Sequence, residues 1–221
     1  IKNVRAELGD ERAIIGFCGA PFTVASYMVE GQSSRNFENT KQMMLGDPDT
    51  FDRLLTRVTD NSIGYLKMQA DVLQIFDSWG GTLSAETYRE RLLPHVARLV
   101  AEAKSFNVPV ILYVNGCAHL LEVMADSGAD VLGIDWRVDP AEAIARVGDR
   151  VALQGNMDPC TLFAPPDVVR RVAAKNVAAF KNQRGYIFNL GSGILPKTPL
   201  DSVQALWETV LQSTELGTAA K

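Results

Sequence analysis

Along the chain, short apolar stretches rich in β-branched residues alternate with longer segments whose apolar residues recur at helical spacing. The short stretches are AIIGFCG (13–19), DVLQIFDSWG (71–80), VPVILYVNG (108–116), ADVLGIDW (129–136), VALQGN (151–156) and GYIFNLGSG (185–193). Near-continuous apolar runs of this kind predict strands buried on both faces, as in a parallel sheet. The segments between them have legible helix ends. After Asp47 and Pro48, the residues Phe51, Leu54, Leu55 and Val58 form an i, i+3, i+4, i+7 stripe. Leu92, Leu93, Val96, Leu99, Val100 and Ala103 form a second stripe, and DSGAD (126–130) supplies a glycine stop before the next strand. Asp139-Pro140 and Thr198-Pro199 predict further cap-plus-proline starts, with Val203, Leu206, Trp207 and Val210 as the buried face of the last helix.

Six strand–helix units in series predict a right-handed α/β fold, either an open doubly wound sheet or part of an eightfold barrel. An open sheet concentrates its functional residues near one switch point. Here polar or glycine-rich signatures follow nearly every strand: GAPFT, DSWGG, NGC, DW, QGNMDP and GSG. Functional residues at the C-terminal ends of many strands are what a (β/α)8 TIM barrel requires. The expected fold is therefore a (β/α)8 barrel of which about six units are present, with two further units expected upstream of Ile1. No linker, low-complexity segment or shift in composition interrupts residues 1–221, which predicts a single domain.

Composition narrows the partners. A chain that is 47% hydrophobic and 22% charged is of the ordinary globular type, and its net charge of −4 leaves no basic footprint for nucleic acid. No apolar stretch approaches the roughly 18 residues needed to cross a bilayer. The start, IKNVRAELGDERA, has no secretory apolar core, and Cys18, Cys117 and Cys160 are too scattered for a disulfide framework or a zinc knot. A reducing cytoplasm is the expected compartment.

Taken singly, the candidate chemical groups stay open. Asp77 and Ser78 in FDSWGG fit a strand-end turn with a capping carboxylate as well as a functional pair. Asp135 in GIDW is a carboxylate after an apolar run, where burial raises a pKa, or a hydrogen-bonded structural aspartate. Tyr27 fits a packed aromatic or a catalytic donor, and Asn156 and Asp158 fit a turn and a cap before Pro159. His95 lies among apolar helix positions and His119 near the start of another helix, neither with metal-ligand spacing. No GxSxG, P-loop or GxGxxG is present to support serine nucleophile, phosphoryl-transfer or dinucleotide chemistry.

Taken together, GFCGAPFTVASYMVEG, FDSWGG, GIDW, LQGNMDPC and NLGSGILPKTP resemble, in order and spacing, the motifs of the uroporphyrinogen decarboxylases of heme biosynthesis. The resemblance runs from about Ala13 to Val210. It implies a (β/α)8 barrel, working as a homodimer without metal or organic cofactor. The implied reaction converts the four acetate side chains of uroporphyrinogen III to methyls, giving coproporphyrinogen III and carbon dioxide. Residue by residue, it makes Tyr27 of YMVEG a catalytic and substrate-contacting group and Ser78 the substrate-contacting hydroxyl after the fourth strand. Ser192 in NLGSGI is similarly implied to face substrate, at a position where the family carries histidine. The family's central aspartate and its arginine pair, in an RQAGR stretch, come from the first two strands; no RQAGR occurs here. The match begins at the third strand, so the chain is expected to be the C-terminal three quarters of the barrel and to be inactive alone.

Two rival readings follow from the same fold. A cofactor-dependent methyltransferase of the barrel superfamily carries His-x-Cys after the fifth strand and a Cys near the eighth, whereas here those strands end LYVNG and NLGSG. The other rival is an inactive, tetrapyrrole-binding remnant of the barrel, suggested by the upstream units and by Ser192.

Overall fold

The structure, a computed structural model, describes residues 2–10, 12–32, 34–65 and 70–218. It packs as two compact units, residues 1–132 and 133–221. In the first, α1 (Lys2–Leu8) precedes β1 (Ile15–Gly19), followed by α2 (Pro21–Glu30), α3 (Glu38–Gly46) and α4 (Pro48–Tyr65). Next come β2 (Val72–Asp77), a 3-10 turn (Gly80–Thr82) and a short α5 (Ala85–Thr87), which passes through a π-helical turn (Tyr88–Leu92) into α6 (Leu93–Lys104). β3 (Val110–Val114) and α7 (Leu121–Ala125) follow, and β4 (Val131–Gly133) runs across the division. The second unit holds α8 (Pro140–Val147), β5 (Ala152–Met157), α9 (Pro166–Ala179), β6 (Tyr186–Leu190) and α10 (Leu200–Thr218).

Five strands fall inside the apolar stretches, β5 runs one residue past its own to Met157, and the sheet keeps chain order, β1 to β6. The β1–β2, β2–β3 and β5–β6 ladders are parallel, with Gly19 opposite Phe76, Phe76 opposite Tyr113, and Asn156 opposite Asn189. This is the strand–helix alternation of the expected α/β fold.

One face of β1–β3 carries a row of rings. Phe17 meets Phe76 edge-on at 5.7 Å, and Phe76 meets Tyr113 at 5.7 Å. The opposite face of β2 turns Leu73, Ile75 and Asp77 into the buried interior. Burial on both faces holds for the middle strands and fails at the two ends of the order. Phe17 on β1 is 69% exposed, and β6 alternates half-buried with exposed positions. A strand with a ladder neighbour on one side only has fewer groups to cover its side chains, and an apolar run does not report how many neighbours it will have.

The helix stops and starts mostly follow the sequence. Asp47 Oδ1 accepts the Thr50 N–H, Asp139 Oδ1 accepts those of Ala141 and Glu142, and Gly128 adopts a left-handed φ of 81° after α7. Thr198 departs from expectation: its hydroxyl is buried without a partner among the described residues, so it does not cap α10. Trp207 departs too, being 57% exposed on the rim of a cavity of about 280 Å³ lined by Phe188, Leu190, Leu206 and Val210. α10 instead buries Ala205 against Val169, Ala173, Leu162 and Met157. Small residues let the α9 and α10 backbones come close, which the apolar period alone does not show.

Candidate active site

The first candidate region grows from the end of β2. Asp77 closes the strand with its carboxylate wholly buried. Thr23 of α2 donates to Oδ1 at 2.8 Å, the Gly80 N–H donates to the same oxygen at 2.9 Å, and the Tyr88 hydroxyl donates to Oδ2 at 3.1 Å. Burial pushes the Asp77 carboxyl above the usual carboxylate range, while these donors pull the other way. The Tyr88 phenol is raised well above its ordinary value by its own burial, with the nearby Asp77 charge adding to the rise. Asp77 is therefore a brace that ties the strand end to α2, to the glycine turn and to Tyr88.

The two glycines of FDSWGG are required by this brace. A Cβ on Gly80 would strike the Asp77 carboxylate and the Tyr88 ring, and one on Gly81 would strike the Asn115 carbonyl oxygen after β3. Ser78 thus lies half-buried between the hydrogen-bonded Asp77 and a turn whose two glycine positions admit no side chain.

Trp79 links Ser78 to Tyr27. The Tyr27 ring stands edge-on to the Trp79 indole at 6.3 Å and 85°, and Phe37 lies 4.7 Å from the same indole. Tyr27 is 44% exposed, so its ring is packed on one side and open on the other. The structure therefore brings Tyr27 and the Ser78 turn together through an aromatic contact that the sequence did not reveal. Beyond Tyr27, Glu30 accepts the Thr40 N–H and Thr40 hydroxyl, both at 2.9 Å, and an Asn39 amide N–H at 2.8 Å. It does for α3 what Phe37 at the N-cap cannot, and these bonds hold its carboxyl below the usual range.

In the second unit, β6 ends at Leu190 and the chain turns through Gly191, Ser192 and Gly193. The Gly191 N–H donates to the Met157 carbonyl at 2.7 Å. A Cβ on Gly191 would lie 2.9 Å from Trp136 Cα, so this glycine is needed for close backbone approach, whereas Gly193 has nothing within 4 Å. Ser192 is half-buried and Ile194 beyond it is exposed.

The turn that Gly191 touches follows β4. Asp135 is buried and its Oδ1 accepts the Arg137 N–H at 2.8 Å. Arg137 Nη1 lies 3.3 Å from the same oxygen, and its guanidinium carbon sits 3.9 Å from the Trp136 ring centroid. Asn156 donates to the Asp135 and Val138 carbonyls at 3.0 and 2.7 Å and accepts from Asn176 at 3.1 Å. Asp158 caps the following 3-10 turn through the Cys160 N–H at 2.8 Å. Asp135, Asn156 and Asp158 thus take the structural alternative that each left open.

Both histidines are accounted for by local bonds. His95 Nε2 lies 2.9 Å from Asp52 Oδ1 across α4 and α6, and His119 Nε2–H donates to the Leu83 carbonyl at 2.7 Å. Burial pushes the Cys18 thiol up to about 11, so it is a thiol rather than a thiolate at neutral pH.

The comparisons with known proteins bear on these strand ends. A family model described as uroporphyrinogen decarboxylase (URO-D) matches residues 1–212. A uroporphyrinogen decarboxylase from Nocardioides sp. is 46% identical over 95% of this chain and 61% of its own length. Those of Rhodococcus jostii and Chromohalobacter salexigens are 47% and 44% identical, covering 95% of the chain and 61% and 62% of their own lengths. The chain spans about three fifths of the length of these relatives. Among solved structures, a methyltransferase from Methanosarcina mazei superposes with a TM-score of 0.82 at 24% identity, over 94% of this chain and 61% of that one, a likeness of fold alone. With the family model matched over residues 1–212 and these relatives 44–47% identical across 95% of its length, the chain belongs to the uroporphyrinogen decarboxylase family.

Proposed function

We propose that the whole protein decarboxylates the four acetate side chains of uroporphyrinogen III to give coproporphyrinogen III. The observation that carries this reading is identity of 44–47% over 95% of the chain to relatives that bear this name. In the same reading, residues 1–221 form the C-terminal three quarters of one barrel domain, in a cytoplasmic homodimer that binds no nucleic acid. Among the described residues no helix is long and apolar enough to cross a membrane.

The chemistry explains the groups at the strand ends. Loss of carbon dioxide from a pyrrole acetate is driven by protonation of the ring, which makes the ring an electron sink; the side-chain carbon then takes up a proton to become a methyl, and the ring releases the proton it had gained. Groups that hold the peripheral carboxylates keep the reacting acetate in place while charge develops in the ring. Tyr27, half open beside Trp79, offers a phenolic O–H to the substrate or to a catalytic carboxylate supplied by the rest of the protein. Ser78 and Ser192 each follow the C-terminal end of a strand, where barrel enzymes carry their chemistry, and each offers a hydroxyl to a carboxylate. A serine at 192 cannot carry positive charge or act as an acid near neutral pH, so its contribution is to binding.

Anaerobic incubation of the full-length protein with uroporphyrinogen III, followed by separation of the oxidised porphyrins, tests the reading. Coproporphyrin with the intermediate acids is expected, and its absence would overturn the assignment. Tyr27→Phe should lower turnover about 10- to 100-fold with little change in folding, as expected for one lost hydrogen bond to a charged group. Ser192→His should lower the Michaelis constant or leave it unchanged, and a large rise in kcat would give residue 192 a proton-transfer role.

A further inference from the structure

We propose that Trp79 is a positioning residue for Tyr27: its ring holds the phenol in the orientation that the reaction uses. The inference rests on the decarboxylase reading above, and it gives a role to a residue that none of the motif correspondences assigns.

Tyr27 stands near the end of α2 and is 44% exposed, so only part of its ring is held by packing. The Trp79 indole supplies a contact on the packed side, edge-on at 6.3 Å between centroids and 85° between planes. A half-exposed side chain on a helix surface otherwise exchanges among its rotamers, and a donor displaced by about an ångström loses much of its value to a reaction. What fixes the indole therefore fixes the phenol.

Trp79 is itself held through both backbone and ring. The Thr82 N–H and hydroxyl donate to its carbonyl at 3.0 and 2.7 Å, and the residue after it, Gly80, is bonded to buried Asp77. Behind the indole lies Phe37, wholly buried and 4.7 Å away between centroids. Phe37 takes a left-handed backbone, φ 55° and ψ 51°, which is unfavourable for an aromatic residue, and the Ser34 hydroxyl accepts its N–H at 3.0 Å. Glu30, three residues after Tyr27 on the same helix, grips Asn39 and Thr40 at the start of α3. The contacts close into a circuit, from Tyr27 through Trp79 and Phe37 to α3, and back through Glu30 to α2.

The choice of tryptophan points the same way. Its indole N–H is buried without a partner among the described residues. Phenylalanine or leucine would fill a core position without stranding a donor, so stability alone does not call for an indole here.

The test uses the full-length protein with Trp79→Leu and Trp79→Phe, each made alone and together with Tyr27→Phe. It reads kcat and KM for uroporphyrinogen III beside the melting temperature. Trp79→Leu should lower kcat about tenfold with KM within about twofold of the parent, and should change kcat less than about twofold once Tyr27 is phenylalanine. Trp79→Phe keeps a ring against Tyr27 and should lose about threefold, again only while the Tyr27 hydroxyl is present. The same comparison in this second variant decides the matter if the leucine variant does not fold. An equal loss in both backgrounds, or a parent-like kcat in the folded leucine variant, would reduce Trp79 to a core strut and overturn the inference while the decarboxylase reading stands. If Tyr27→Phe keeps the parent turnover, Trp79 has nothing to position, and the inference fails with the Tyr27 assignment. A parent without turnover overturns the decarboxylase reading and this inference together.

Discussion

Ser78 and Ser192 both follow strands and lie within two residues of glycines, but their settings differ in how much of the surroundings is already committed. Ser78 follows an aspartate whose carboxylate is bonded to Thr23, Gly80 and Tyr88, and precedes two glycines at which any Cβ collides. Ser192 has one such glycine before it, while Gly193 after it has open space. The residue before the first serine is held by buried polar bonds from Thr23, Gly80 and Tyr88. The second serine is held on one side by Gly191, which bonds to the Met157 carbonyl and lies against the Trp136 backbone, and has open space beside Gly193 on the other. Similar letters in sequence thus mark a rigid position in one loop and an adaptable one in the other.

The largest effect should come from breaking the rigid side. Asp77→Ala strands three buried donors at once and should cost about 3–5 kcal/mol in urea unfolding of the full-length protein. A loss below about 1 kcal/mol would mean the brace is not one. Gly81→Ala and Gly191→Ala each force a Cβ against backbone and should cost about 1–3 kcal/mol. Asp158→Ala removes a cap bonded to the Cys160 N–H and should cost about 1 kcal/mol. Gly193→Ala should stay within about 0.5 kcal/mol of the parent. If Gly191→Ala and Gly193→Ala proved equal, the asymmetry of the second loop would be wrong.

Two carboxylates of the first unit, Asp77 and Glu30, sharpen the contrast through pH. Asp77 has its carboxyl raised by burial, so the stability tied to it is present in full below the ordinary carboxylate range and fades as pH rises through the raised value. Glu30 has its carboxyl lowered by its bonds to Thr40 and Asn39, so its contribution is present above the ordinary range and is lost as pH falls through the lowered value. Urea midpoints against pH should therefore lose their alkaline-side decline in Asp77→Asn and part of their acid-side decline in Glu30→Gln. Shifts in the reverse directions would contradict both assignments.

Much of the fold was legible because strands and helices are local patterns. All six strands lie where β-branched runs predicted them, and Asp47 and Asp139 cap where a following proline marked a helix start. What was not legible depends on distance along the chain. The three donors to Asp77 sit at positions 23, 80 and 88, and the Gly191 contact joins positions 136 and 191. No spacing rule connects such residues, so Asp77 and Ser78 stayed open between turn and function until their partners were seen. Trp207 shows the same gap in reverse: its helical period identified an apolar face, while the small residues Ala173 and Ala205 decided where α9 and α10 meet. Arg137 gave no signal because an arginine after a tryptophan is unremarkable until its ring contact and its buried carboxylate are in view.

The three tryptophans divide the same way. Trp79 is packed against Phe37 and Tyr27 with its indole N–H buried, Trp136 lies under the Arg137 guanidinium, and Trp207 is in contact with water. Their fluorescence should therefore differ in colour, Trp207 emitting furthest to the red and Trp79 furthest to the blue. The protein carries an optical label beside each of the two serines, and a ligand that settles on one loop and not the other would announce which by the band it disturbs.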